Sequence, residues 1–204
     1  MNNNASLTGA APIVLTPGDV DLATLRRVHA GGVQLALNPS TRARLLAAQA
    51  TVRKIVESGD VVYGINTGFG KLAQTIIPAE RLAELQRNLV LSHSAGTGEP
   101  LAAGVVRLVL ATKAVSLARG HSGVRPEIVD ALLGLCNAGL LPRIPSKGSV
   151  GASGDLAPLA HLACVLIGEG EVTTPQGEVI GGTDGSYAPF IPRSTPKNGE
   201  SDGL

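Results

Sequence analysis

Apolar residues recur along most of this chain at the three- and four-residue spacing of amphipathic helices, and glycine, proline and small polar residues cut that pattern into units. Ile13-Val14-Leu15 reads as a short strand, and Thr16-Pro17-Gly18-Asp19 as the turn after it. Asp19 or Thr16 is the expected cap of a first helix that runs to about Val28 and ends at Gly31-Gly32. Asn38, with Pro39 at the first helical position, is the expected start of a second helix. Its stripe is Leu45, Leu46, Ala48, Val52, Ile55 and Val56, its solvated face carries Arg42, Arg44, Arg53 and Lys54, and Gly59 stops it. Pro78 to Ser94 predicts a third, with Leu82, Leu85, Leu89 and Val90 on one side. Leu101 to Ala118 is strongly apolar, with Arg107 and Lys113 its only charges, and ends at Gly120. Arg125-Pro126-Glu127 opens a further helix through Asn137, stopped by Gly139. Pro142 and Pro145 make Leu141 to Lys147 extended, and Leu156 to Ile167 is helical, with Pro158 tolerable in its first turn. Two short runs, Glu171-Val172 and Glu178-Val179-Ile180, predict a hairpin around Pro175-Gln176-Gly177. The sum is a mainly α fold with short strands or a hairpin.

Two stretches do not follow the helical pattern, and both invite chemistry. Val61 to Ile77 is a loop laced with Gly64, Gly68 and Gly70. Its glycine order differs from the dinucleotide fingerprint, and long loops inside compact domains are often functional. It contains Tyr63, which is either packed with a satisfied hydroxyl or a base. The second stretch is Lys147 to Asp155, a small-residue turn feeding the last helix. One reading is an ordinary cap, with Ser153 before a helix, glycines as turn punctuation and Asp155 in the first turn. The other is covalent. The Gly154 nitrogen, freed of β-carbon crowding, can fold back on the Ala152 carbonyl carbon and close a five-membered ring by loss of water. Loss of the Ser153 hydroxyl as a second water leaves a methylidene electrophile, a function that ordinary side chains do not supply. Asp155 stands where a serine-hydrolase elbow needs glycine, and Lys147 precedes the glycines, unlike a phosphate-binding loop.

Composition narrows the setting. The 204 residues are 44% hydrophobic and 16% charged, enough for one domain with a fair core. A net charge of +1 without a basic cluster makes nucleic acid an unexpected partner. No apolar run approaches the roughly 18 residues of a membrane span, and the N-terminus lacks the pattern of a secretory signal, so the cytoplasm is expected and no membrane partner is. Cys136 and Cys164 lie in apolar helical runs and read as buried thiols. His29, His121 and His161 show no metal-ligand spacing, so no metal is expected. Aromatic residues are only 2%, so Ala, Leu and Val must fill a core of close-packed helices.

Context separates the two readings of the turn. Gly148 to Ala163, GSVGASGDLAPLAHLA, resembles the signature of the ammonia-lyases and aminomutases that build a methylidene-imidazolone (MIO) group from Ala-Ser-Gly. Val61 to Gln74 (VVYGINTGFGKLAQ) and Leu85 to Leu101 (LQRNLVLSHSAGTGEPL) resemble the histidine ammonia-lyase branch of that family, in the same order. The resemblance covers roughly Leu15 to Gly182. It implies the N-terminal helical domain of the ammonia-lyase (fumarase/aspartase-like) fold and an MIO group formed autocatalytically from Ala152, Ser153 and Gly154, without metal or dissociable cofactor. It also implies that Tyr63 is the catalytic base and that His93, near a helix C-terminus, meets the substrate side chain. Histidine at that place matches members that handle imidazole or phenol substrates. The implied reaction is deamination of L-histidine to trans-urocanate and ammonia. A tyrosine or other aromatic lyase or aminomutase, and a non-catalytic fragment, stand as alternatives. The implied organisation is a disordered 1–12, an MIO-bearing domain over 13–182, and a divergent, flexible tail over 183–204. The C-terminal helical-bundle half, which forms the core of a homotetramer, is expected to be absent from this chain.

Overall fold

The computed structural model describes residues 11–67, 77–151 and 154–182. The expectations for residues 1–10, for the tail after 182, for the glycine loop over 68–76, and for Ala152 and Ser153 lie outside the described residues.

The chain begins with a small parallel unit. Strand β1 (Ile13–Leu15) pairs in register with β2 (Leu35–Leu37), and helix α1 (Leu22–Ala30) crosses between them. The cap of α1 is Asp21, not Asp19 or Thr16. Thr16 to Asp19 closes its own turn, with the Asp19 amide donating to the Thr16 carbonyl at 3.0 Å, so the helix starts later. The Asp21 carboxylate accepts from the Thr24 amide at 2.7 Å, and that bond holds its carboxyl below the usual range. Gly31, at φ 83°, ends the helix as expected.

Helix α2 (Thr41–Ser58) also starts later than its sequence signal. Asn38 turns on itself, its side-chain oxygen accepting from the Ser40 amide at 3.1 Å and its carbonyl from the Thr41 amide at 3.0 Å. Of its apolar stripe, Leu45 is buried and Ala48, Val52, Ile55 and Val56 are half-buried, while Leu46 faces solvent.

The core is built on α4 (Ala103–Leu117) and α5 (Pro126–Ala138). Val106, Leu110, Ala111 and Ala114 of the first meet Val129, Leu132 and Leu135 of the second, with Leu15, Val28, Leu35 and Leu45 closing over them. Helix α1 comes close because α4 presents a glycine: a β-carbon on Gly104 would stand 2.5 Å from His29 Nε2. Arg107 then reaches across and donates to the His29 carbonyl at 2.8 Å, which satisfies a carbonyl at the end of α1. Asn137 ties α5 to β2 by accepting from the Leu35 amide at 2.8 Å and donating to the Leu35 carbonyl at 2.9 Å, as a neighbouring strand would. Burial pushes the Cys136 thiol up to about 11, against the opposing charge of Arg107, so it stays a protonated core residue.

Helix α3 (Leu82–His93), entered through a single 3-10 turn, packs on α6 (Leu156–Leu166). Between α3 and α4 lies β3 (Thr97–Pro100), which has no hydrophobic alternation and was not expected. It pairs antiparallel with β5 (Pro145–Lys147), the strand that leads into the small-residue turn. Strand β4 (Leu141–Pro142) pairs with β6 (Glu171–Thr173), and β6 with β7 (Val179–Gly181), in a three-stranded antiparallel sheet that contains the expected hairpin. No described helix is long and apolar enough to cross a membrane.

Candidate active site

A cavity of about 550 Å³ opens between α3, α6 and the turn after α2. Tyr63, His93 and Gly154, separated widely in sequence, line it together. Its walls are Leu89 and Val90 of α3, and Leu156, Leu159, Ala160 and Ala163 of α6. These wall residues carry a readable signal, because 156, 159, 160 and 163 follow helical spacing. That stripe reads as core from sequence alone; here it lines a cavity instead.

His93 is the last residue of α3, where free carbonyls accumulate. Its Nδ1 lies 2.8 Å from the Leu89 carbonyl and 3.2 Å from Ser92 Oγ. The Ser92 hydroxyl spends its own proton on the Leu89 carbonyl, at 3.0 Å. Both contacts therefore require the proton on His93 Nδ1. In the neutral imidazole, Nε2 is left as a hydrogen-bond acceptor.

Tyr63 projects from the turn after α2 and is 64% exposed. The turn is held from within by Asn66, which sequence reading passed over. Its buried side chain accepts from the Val62 amide at 2.9 Å and donates to the Asp60 carbonyl at 2.7 Å. Its own carbonyl accepts from the Ile77 amide at 2.9 Å, which closes the far end of the glycine loop. The polar residue in a glycine-rich loop was its only signal.

Of the triplet expected to form the electrophile, Gly154 alone lies among the described residues, since Ala152 and Ser153 are outside them. Gly154 precedes the N-terminus of α6, and Asp155 occupies the cap position without a side-chain cap hydrogen bond. A β-carbon on Gly154 would meet only Leu156 Cδ2, at 3.9 Å, so the described surroundings of this glycine are open. The first turn of α6 thus brings the positive end of a helix dipole to the cavity that Tyr63 and His93 share.

Helix α3 is kept in register with α6 by polar pins. The Ser94 hydroxyl accepts from Cys164 Sγ at 3.4 Å, and the Gly96 amide donates to His161 Nε2 at 3.0 Å. Arg87 forms an ion pair with Glu169 just beyond α6. Burial pushes the His161 imidazole below its ordinary value, which favours the neutral acceptor form that Gly96 needs. His161 was visible in the sequence as a histidine without metal spacing; its partner was not.

Fold and cavity together define an ammonia-lyase or aminomutase architecture, and residues 20–188 match the aromatic amino acid lyase family, to which the chain belongs. Within the family it is similar to a histidine ammonia-lyase of Paracidovorax citrulli, at 66% identity over 88% of this chain and 36% of that protein. It superposes on the crystal structure of histidine ammonia-lyase from Trypanosoma cruzi with a TM-score of 0.80 and 37% identity, covering 91% of this chain and 34% of that one. Tyrosine aminomutase from Streptomyces globisporus gives 0.78 and 32%, covering 89% and 34%. The chain spans about a third of the length of the curated relatives it matches.

Proposed function

We propose that this chain is the segment of a histidine ammonia-lyase that carries its electrophile, its base and a contact to the substrate ring. The whole enzyme would convert L-histidine to trans-urocanate and ammonia. The observation that carries the reading is the single cavity bounded by Tyr63, His93 and Gly154 at the mouth of α6.

The electrophile is assigned to Ala152-Ser153-Gly154. The Gly154 nitrogen bonds to the Ala152 carbonyl carbon, whose oxygen leaves as water with the amide protons of Ser153 and Gly154. The Ser153 hydroxyl leaves as the second water with the Ser153 Cα proton. An MIO group formed from these residues would supply an electron-poor methylidene carbon, an electrophile suited to the substrate amine. Tyr63 removes the substrate β-proton as the general base. His93 accepts a hydrogen bond from the substrate ring through Nε2. An imidazole N–H satisfies it, whereas a phenyl ring leaves it unpaired, a discrimination that polar sites make strongly. The Leu89, Leu159, Ala160 and Ala163 walls offer the ring an apolar surface. Assembly as a cytoplasmic homotetramer belongs to the same proposal, through the family resemblance.

A phenol O–H would serve His93 equally, and the likeness to tyrosine aminomutase supports tyrosine as the second reading. The test is urocanate formation by the full-length protein, with L-histidine and L-tyrosine compared at matched concentrations. Histidine turnover lost in Ser153→Ala is the expected result. A fully active Ser153→Ala protein ends the mechanism, and a strong tyrosine preference ends the substrate assignment.

A further inference from the structure

Tyr63 stands on a turn that one buried side chain ties together. Gly64 takes φ 79°, so the chain reverses directly after Tyr63. Val62, the residue before it, is gripped at both of its backbone groups. Its amide donates to Asn66 Oδ1 at 2.9 Å, and its carbonyl accepts from the Ile65 and Asn66 amides at 3.1 and 3.3 Å. Asn66 Nδ2 donates to the Asp60 carbonyl at 2.7 Å, and the Asp60 carboxylate accepts from the hydroxyl of Ser58, the last residue of α2, at 2.7 Å. The turn is thus anchored at its rear, where Asn66 is only 6% exposed, and open at its tip, where Tyr63 borders the cavity. The Asn66 carbonyl accepts from the Ile77 amide at 2.9 Å, and Pro78 and the 3-10 turn then lead into α3, whose last residue is His93. One asparagine therefore joins the end of α2, the turn of Tyr63 and the approach to the helix that carries His93.

We propose that Asn66 is a positioning residue for the proton transfer: its side-chain amide sets where Tyr63 stands over the cavity. This rests on the proposed reading of Tyr63 as the base. The physical reason is aim. Tyr63 is mostly exposed, so its place depends more on the backbone that carries it than on side chains packed around it. A base works only within hydrogen-bond reach of the proton it takes, and a displacement of about 1 Å can cost about 10²-fold in rate. The two arms of Asn66 fix that backbone from one point. The Val62 amide needs an acceptor and the Asp60 carbonyl needs a donor, and a carboxamide supplies both. An ionised aspartate offers only acceptors, and alanine offers neither. Either replacement leaves a part-buried backbone group without its partner, and the turn opens to recover water. Asn66 itself does not line the cavity, so its effect reaches the substrate through Tyr63.

The experiment is a double-mutant cycle in the full-length protein, read by steady-state kinetics on L-histidine and by hydrogen exchange over residues 60–66. Asn66→Ala is expected to lower kcat about 10²-fold and to leave KM within about threefold of the parent. Exchange over the turn is expected to quicken in the same variant, since the Val62 amide loses its acceptor. The deciding measurement is Asn66→Ala made in the Tyr63→Phe protein. With no base left to aim, the double variant is expected to turn over within about twofold of Tyr63→Phe alone. A merely structural role would instead multiply the two losses, and that result overturns the proposal. An Asn66→Ala protein with the parent kcat overturns it as well, whether or not exchange quickens. Circular dichroism checks folding; should the alanine variant fail, the near-isosteric Asn66→Asp carries the same cycle, with an expected loss of about tenfold. A Tyr63→Phe protein that keeps the parent rate overturns the reading of Tyr63 as the base, a failure seen in the single variant before Asn66 is touched.

Discussion

Helices α4 and α5 bury Val106, Leu110, Val129, Leu132 and Leu135 almost completely, whereas α3 buries none of its side chains and the 156–163 stripe of α6 lines a cavity. Both helix pairs carry apolar stripes at helical spacing, so their sequences read alike. The difference lies in what each stripe meets. In the first pair it meets another stripe and excludes solvent, which stabilises the fold. In the second pair it meets a turn carrying Tyr63 and a helix N-terminus, and the gap between them is the cavity. Stability and chemistry are thus assigned to different faces of one helical body.

The sharpest way to break this contrast is Tyr63→Phe in the full-length enzyme. Loss of a base should lower kcat by about 10²- to 10⁴-fold while the unfolding midpoint stays where it was. A variant that retains its rate would reduce the cavity to imperfect packing. Next comes a paired truncation. Leu132→Ala should lower stability by about 2–5 kcal/mol in chemical denaturation, because Leu132 is 1% exposed in the core. Leu159→Ala, half-buried at the cavity wall, should lower it by about 1 kcal/mol or less and instead raise KM. Equal stability losses would erase the distinction between the two helix pairs.

The smallest effect is a pH dependence at the boundary between them. Burial lowers the folded pKa of His161 below the ordinary 6.5, so the unfolded chain takes up its proton first as pH falls. The contribution of neutral His161 is present above pH 6.5 and is lost as pH falls through the lower folded value. The charges that share its cavity are paired, Arg143 with Glu171 at 3.3 Å and Glu169 with Arg87. Unfolding midpoints measured from pH 8 downward should therefore decline in this window, and His161→Gln should remove that part of the decline. A midpoint equally pH-dependent in the variant would place the titration elsewhere.

Much of the fold was legible because its signals are local. The glycine stops at Gly31, Gly59 and Gly139, the helix from Pro126, the hairpin near Gly177 and the place of His93 at a helix end all follow from residues within one turn of each other. The misplaced starts of α1 and α2 have the same origin. Thr16 and Asn38 are good turn formers as well as good caps, and each used its bonds in a turn. Strand β3 escaped notice because Thr97–Pro100 has no buried face to alternate. Of the candidate site, the motifs pointed to Tyr63, His93 and Gly154, and to the triplet around Ser153. They did not point to Asn66, whose role depends on an amide four residues back and a carbonyl six residues back, or to His161, whose donor is 65 residues away.

From the amino-acid order alone came the helical segments, their stops, the family and the small residues proposed to react, since backbone preference and turn chemistry act over a few neighbours. Only the three-dimensional packing decided which apolar stripe became core and which became cavity, and which distant amide each polar side chain would serve. Asn137 finds Leu35 across 102 residues, and Gly96 finds His161 across 65. Such pairings depend on how close whole helices and strands can approach, and that distance is set by the summed volume of every side chain between them.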